Sequence, residues 1–243
     1  MSFVANEDYW KGMPNLDRVV LRVINDQSSL VAALMAGDLD MTTLTADVIP
    51  MIEATAGLKT ITADPSWTID LWINGKHPPL NDKAVRQAIA YCMDRAQFAK
   101  DFTGGYGGVV DGPYYTGSWM YKAALADGMM LDAYATSLDS AIAVLEEGGW
   151  VYNADGSAYS GSGVRYKKIA DAEMQEQDKT FASKDGAYKT VQVGEDWYMP
   201  LVLNWYGTTD NPFTDLLVTG FMENENIKAA GFVVQNTIGE FNP

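Results

Sequence analysis

Between Trp67 and Arg95 the apolar and polar positions follow two successive rhythms. Ile69, Leu71 and Ile73 alternate with Thr68, Asp70 and Trp72, the period of two that turns one face of a strand toward a core. Asn74 and Gly75 end this run. His77-Pro78-Pro79 cannot extend a ladder, because two consecutive prolines remove two backbone donors and fix φ. Asn81 and Asp82 follow, each with a side-chain oxygen able to accept from the orphan N–H groups of a first helical turn. Val85, Ala88, Ile89, Cys92, Met93 and Ala96 then recur at i, i+3, i+4, i+7, i+8 and i+11, one helical stripe, with Lys83, Gln87, Asp94 and Gln97 on the other side. The pattern predicts a buried strand over 67–74, a rigid proline elbow, and an amphipathic helix packed back on the strand.

The same reading extends to both sides. Leu16 to Ile24 alternates as a strand, Leu30, Val31, Leu34 and Met35 mark a short helix capped by Asp26 or Ser28, and Gly37 supplies its stop. Asp38 to Met41 reads as a second strand, so that the three elements would form a small βαβ unit, right-handed if parallel. Val48 to Ala54 is expected to be helical and Leu58 to Ala63 extended. Leu138 to Gly148 is a second clear helix, with Ser137 as cap and Leu138, Ile142 and Leu145 as its buried face. Leu201 to Tyr206 is a buried strand, followed by a polar loop, a helix begun by Pro212 and lined by Phe213, Leu216, Leu217 and Phe221, and a strand at Phe232 to Val234. Turn sequences at Asn153–Gly156 and Ser183–Gly186, in a stretch poor in aliphatics, mark about 152–196 as a surface insertion of hairpins.

Charge and composition narrow the partners. With 17 Lys plus Arg against 32 Asp plus Glu, the net charge of −15 repels phosphate backbones and anionic membranes, so nucleic acid is not expected as a partner. The single Cys92 falls on the apolar helix stripe and reads as a buried, inert thiol. Asp38 and Asp40 point to one side if extended, yet no His or Cys is near them, and Asp at a helix-to-strand turn is ordinary turn chemistry. The glycine cluster 104–108 lacks the Lys-Ser/Thr of a phosphate loop and follows a helix instead of opening one. No Gly-x-Ser-x-Gly elbow occurs, and the one histidine, His77, sits in the proline elbow without a nucleophile beside it in sequence. No enzyme activity, cofactor or metal is therefore expected.

Several motifs together carry a resemblance. Asn74, Pro79, Val85-Arg86-Gln87-Ala88-Ile89, Tyr91 and Asp94-Arg95 are similar to the strand–proline–helix segment of the family 5 extracellular solute-binding proteins, the peptide and nickel receptors of ABC importers. Asn6, Tyr9-Trp10, Gly12 and Pro14 resemble that family's N-x-x-Y-W-x-G-x-P lead-in, residues 33–40 its A-L-x-x-G-x-I-D motif, and Ala141 to Trp150 its A-x-x-L-L-x-x-A-G-W signature. The resemblance implies an α/β (mixed α+β) fold, one lobe of a two-lobed periplasmic-binding-protein-like architecture of the peptide-binding class. Residues 1–44 would be a βαβ remnant of the N-terminal lobe and 45–243 the C-terminal ligand-binding lobe. The chain would then be an excised part of a receptor carrying one side of the cleft. Its apolar N-terminal face would be covered by a second copy in a dimer.

The implied function is capture of a peptide or similar small solute outside the cytoplasm, in a membrane-anchored lipoprotein that delivers it to ABC permease subunits. A solute-sensing or interaction module reusing the fold, as in a regulator, is the alternative. Clefts use aromatic walls and a few fixed polar groups, which nominates Trp72, Asn74, Tyr115, Trp119, Tyr206, Thr208, Thr209 and Asp210 from strand ends and the loops after them. For the aromatic loop 112–121, core filling, recognition and oligomer contact all remain open readings. Relatives that bind short peptides can carry a basic residue in the loop after the 201–206 strand to hold the ligand carboxylate. Here Thr208, Thr209 and Asp210 stand there without Lys or Arg, which argues against a dipeptide anchored by its carboxylate.

Overall fold

The computed structural model describes residues 1–62, 68–129, 133–170, 176–209 and 211–240. The chain divides into two compact units, Met1–Ala63 and Asp64–Pro243.

In the first unit, strand β1 (Ser2–Val4) pairs antiparallel with β2 (Arg18–Val20). Helix α1 (Gln27–Met35) starts at Asp26, whose carboxylate accepts from the Ser29 N–H at 2.7 Å, and ends where Gly37 adopts a left-handed φ of 77°. After a short 3₁₀ turn, α2 (Ile49–Glu53) follows. Val31, Leu34 and Ile52 form the core, with Leu39, Leu44, Val48 and Leu58 packed on it. The expected βαβ unit is not what forms. The strand's backbone groups are taken by the local partner Ser2–Val4, and Leu39 serves the helix core instead of a ladder. Nor does 58–62 form a strand: Leu58 packs on α2, and the Thr60 hydroxyl donates to Glu53 at 2.8 Å. Leu44 and Val48, flanking the expected joint, pack within this unit.

The second unit is built on helix α3 (Lys83–Cys92), whose stripe Val85, Ala88, Ile89 and Cys92 is buried. Burial pushes the Cys92 thiol up to about 12, so it stays protonated and unreactive. The stripe does not run unbroken to Ala96. Met93 is extended, and Asp94 accepts from the Gln97 N–H at 2.9 Å to start a new helix, α4 (Arg95–Thr103). The Cys92 carbonyl freed by this break accepts from Asn224 Nδ2 at 2.8 Å. Helix α5 (Trp119–Ala126) is capped by Ser118, and α6 (Leu138–Glu147) by Ser137. Helices α3 and α6 approach so closely that a Cβ on Gly148 would lie 2.5 Å from that of Ala84.

Asp82 joins these parts. Its carboxylate accepts from the Ala84 N–H at 2.9 Å, from the Trp150 indole at 3.0 Å and from the Lys167 ammonium at 2.7 Å. The third of these partners lies on β3 (Tyr166–Ile169), which pairs with β5 (Asp196–Pro200); α7 (Glu176–Thr180) and β4 (Val191–Val193) lie between them in sequence, and β4 pairs with the other edge of β5. The 152–196 stretch, of which 171–175 lie outside the described residues, is thus more firmly seated than a surface insertion. Arg165 is buried, donates to the Ala230 and Trp150 carbonyls at 2.9 and 3.0 Å, and lies over the Tyr159 ring.

Strand β6 (Val202–Thr208) and strand β7 (Val233–Gly239) pair in parallel. They are joined through α8 (Pro212–Leu217), a π-type turn at Val218–Met222, and α9 (Glu225–Ala229). One face of the pair, with Leu203 and Val234, packs on the main core. The expected strand at 67–74 is the principal correction. Trp67 lies outside the described residues, and 68–73 pairs with no strand among them. Its last backbone groups are used in turns instead, Gly75 N–H to the Ile73 carbonyl and His77 N–H to that of Asn74. The period of two survives only over 71–74, where Leu71 and Ile73 are half-buried and Trp72 and Asn74 exposed; Ile69, expected inside, is exposed, and Thr68, expected outside, is half-buried.

Ile89, 3% exposed at the centre of the stripe, is expected to cost about 2–5 kcal/mol when changed to Ala, as truncations in packed cores do. Asp82→Ala should lose at least the ~1 kcal/mol of a helix cap. Chemical denaturation measures both, and a loss below about 0.5 kcal/mol for either would show that the site is not load-sharing in the core.

Candidate functional site

The first part of β6, from Val202 to Tyr206, and the proline elbow enclose a hollow of about 320 Å³. Asn74, His77, the two prolines, Asn204 and Tyr206 line it. Buried Pro78 and Pro79 form the stiff apolar side. Residues 202, 204 and 206 share one face of β6 and line the hollow, which Leu203, packed in the core, also borders. The Oδ1 of Asn204 is buried and accepts no hydrogen bond within the protein. An amide oxygen withdrawn from water without a partner is costly unless something else donates to it.

The strand end is held open by its neighbours. The Thr208 N–H donates to the buried Thr214 hydroxyl at 3.1 Å, Asn211 Nδ2 donates to the Thr208 hydroxyl at 2.9 Å, and the Thr209 N–H donates to the Gly239 carbonyl at 2.9 Å. A Cβ on Gly207 would meet Trp205 Cη2 at 2.7 Å and Thr214 Cγ2 at 2.9 Å. Glycine is needed there for the helix that follows to sit against the strand.

Of the residues nominated from sequence, the structure brings Asn74 and Tyr206 to the same hollow. Tyr206 is 71% exposed and Trp72 92% exposed. Trp119, 76% exposed at the start of α5, is no more a core residue than Trp72. Tyr115 is half-buried, and its carbonyl accepts from the Ser118 N–H. These last three, with Thr208 and Thr209, do not line the hollow. Asp210 lies outside the described residues. Two polar lining residues, His77 and Asn204, are not among those nominated, and the other lining residues outside the nominated set are apolar. His77 was set aside with the elbow, and Asn204 was counted only as part of an aliphatic run, although an amide inside Leu201-Val202-Leu203-Asn204-Trp205 was a visible signal.

A third group reaches this surface from far away in sequence. The turn Ser183–Gly186 docks on β7. The Lys184 N–H donates to Gln235 Oε1 at 2.8 Å, and the Lys184 ammonium donates to the Thr237 hydroxyl at 2.7 Å. Hydrogen bonds from the Gln235 side chain first, then from the Ala187 N–H and the Ser183 hydroxyl, hold the Asp185 carboxyl down at about 2. A smaller hollow of about 210 Å³ lies between α4 and the π-type turn, lined by Asp94, Phe98, Asp101 and Leu216 among others. None of the nominated residues reaches it. Among the described residues no three of His, Cys, Asp or Glu stand close enough to hold a metal ion, and no helix is long and apolar enough to cross a membrane.

Beside this parallel strand pair the hollow brings together aromatic, amide and proline groups, the kinds of group that line small-molecule pockets. The chain belongs to the bacterial extracellular solute-binding proteins, family 5, whose middle-segment model matches residues 1–190. It is 31% identical over 153 residues to the oligopeptide-binding protein AppA of Bacillus subtilis, covering 63% of this chain and 27% of that one. The fold is similar to that of NikA from Brucella suis in complex with Fe(III)-EDTA (TM-score 0.66, 18% identity, 98% of this chain and 40% of that chain). It is also similar to that of Bacillus subtilis AppA in complex with a nonapeptide (TM-score 0.55, 23% identity, 98% and 39%). The chain thus spans about a quarter of the length of its curated relative.

Because the Asp185 pKa is depressed, its contribution to docking the turn is complete above the ordinary value of 3.8 and is lost as pH falls through about 2. Carboxyl ¹³C NMR should place its titration midpoint near 2, with the Lys184 and Gln235 amide signals moving in step. A midpoint at the ordinary value would mean that the turn is not docked on β7.

Proposed function

We propose that this chain supplies one wall of the solute-binding cleft of an ABC-importer receptor, one that takes a peptide or similar small solute outside the cytoplasmic membrane and hands it to the permease. The observation that carries this reading is the hollow along β6, where the buried Asn204 oxygen lacks a donor and exposed Tyr206 also lines the wall. A peptide N–H answers the first, and an apolar side chain covers the second. Asn74, at the rim, adds a further amide whose Oδ1 already accepts from the Lys76 N–H at 3.2 Å, leaving its NH₂ to donate. Family membership supports binding in preference to catalysis. Trp72, Tyr115, Trp119, Thr208 and Thr209 are kept in this reading as contacts outside the hollow, and Asp210 is kept on its sequence position alone. Strand β6 would give contacts to peptide backbone, which every sequence shares, while the exposed aromatics would favour large apolar side chains.

Solution NMR of the chain with a mixture of unmodified tripeptides and pentapeptides tests this. Signals of Asn74, Asn204 and Tyr206 should shift, and Tyr206→Ala should weaken binding about tenfold, equivalent to ~1.4 kcal/mol. Shifts confined to other surfaces, or binding unaffected by Tyr206→Ala, would overturn the assignment.

A further inference from the structure

The loop after β6 offers no cation, yet the structure delivers one to the neighbouring strand. In the parallel register Asn204 stands opposite Gln235 and Tyr206 opposite Thr237, and residues opposite one another project from the same face of a sheet. Gln235 and Thr237 are the two residues that hold Lys184, one through its backbone N–H and the other through its ammonium. The ammonium is therefore fixed on the face that bears Tyr206 and Asn204, at the C-terminal end of the strand pair. Each of the ion pairs formed among the described residues involves another cation, namely Arg95, Arg165, Lys167 or Lys168. Lys184 spends one of its three donors on a neutral hydroxyl and has no carboxylate within ion-pair distance among the described residues. Asp185 beside it turns instead to Gln235, Ser183 and Ala187.

A lysine on a chain of net charge −15 has many acidic neighbours to choose from. Here it is tied by two points of a tight turn to a strand, with its charge left over. Fixing a long side chain costs rotamer entropy, and the ordering is already in place before any ligand arrives, which favours binding of an anion to the preset ammonium.

We propose that Lys184 is the anion-recognising residue of the solute site, with the Thr237 and Tyr206 hydroxyls beside it, and that the solute class is one bearing a carboxylate. This rests on the reading of β6 as a solute wall. The turn 183–186 thereby becomes a specificity device: it replaces a cation that the 208–210 loop does not have, and its length and sequence can vary without disturbing the β6–β7 pair.

Two titrations on the intact chain separate the claims. In the first, acetate and neutral acetamide are added to wild type and to Lys184→Gln, and the amide signals of Lys184, Tyr206 and Thr237 are followed by NMR. Lys184 is exposed, so the variant keeps the fold. Acetate alone should shift these signals, and the Lys184→Gln variant should lose the response. Equal effects of acetate and acetamide, or a response unchanged in the variant, overturn the proposal. In the second, the same peptides are compared with free and amidated C-termini. Free acids should bind about tenfold more tightly, as a charge-assisted contact allows, with the preference of acid over amide abolished by Lys184→Gln. Peptide acids and amides that bind alike overturn the proposal while leaving the solute wall standing. An acetate response without any peptide binding keeps the anion site and removes the peptide reading instead.

Discussion

One carboxylate ties the proline elbow, α3, the end of α6 and β3 together. Asp82 ends the proline elbow, caps α3, accepts the Trp150 indole from the end of α6 and pairs with Lys167 of β3. Each partner belongs to a different element, and each contact is 3.0 Å or shorter. The side chain is largely withdrawn from water, so its charge-assisted hydrogen bonds are worth more than surface pairs, and leaving its partners unmet would be costly. Because Pro79 and Asp82 are three residues apart, what fixes the helix also fixes the elbow. The elbow in turn closes the hollow against β6.

The two faces of β6 divide the labour. Leu201 and Leu203 anchor the strand in the core, while Val202, Asn204 and Tyr206 look toward the elbow. A strand anchored on one side can present unsatisfied polar groups on the other without losing its place. That is how a buried amide oxygen without an internal donor persists. The β7 side repeats the arrangement with Gln235 and Thr237, which hold a turn that begins some fifty residues earlier in the chain.

What could be read from the sequence followed period and capping. The α3 and α6 stripes, the Asp82 and Ser137 caps and the β6–helix–β7 succession all appear where hydrophobic rhythm put them, because local sequence and burial agree there. The rhythm could not say which strands would pair. It gave Leu16–Ile24 and Asp38–Met41 equal claims to a shared ladder, whereas the chain start supplies a nearer partner and Leu39 serves the helix core. Along 71–74 the alternation of sides holds without the hydrogen bonds, while Ile69, expected inside, is exposed. The Asp94 break in α3 was hidden because Met93 and Ala96 stay in phase with the stripe. Of the site, Asn74 and Tyr206 were legible as residues closing apolar runs. Asn204 was masked by its aliphatic neighbours, and Lys184 lay in a turn whose docking on β7 is a long-range contact that no local pattern reports.

The central claim, that solute meets this chain along β6 beside the proline elbow, is tested most directly by photo-crosslinking. A short peptide carrying one photoreactive side chain is irradiated with the chain, and the adducts are located by mass spectrometry. The account predicts adducts on the 74–80 elbow, on 204–209 and on 184, suppressed by an excess of unlabelled peptide. Competable adducts concentrated on 94–101 and 216–224, around the smaller hollow, would contradict it.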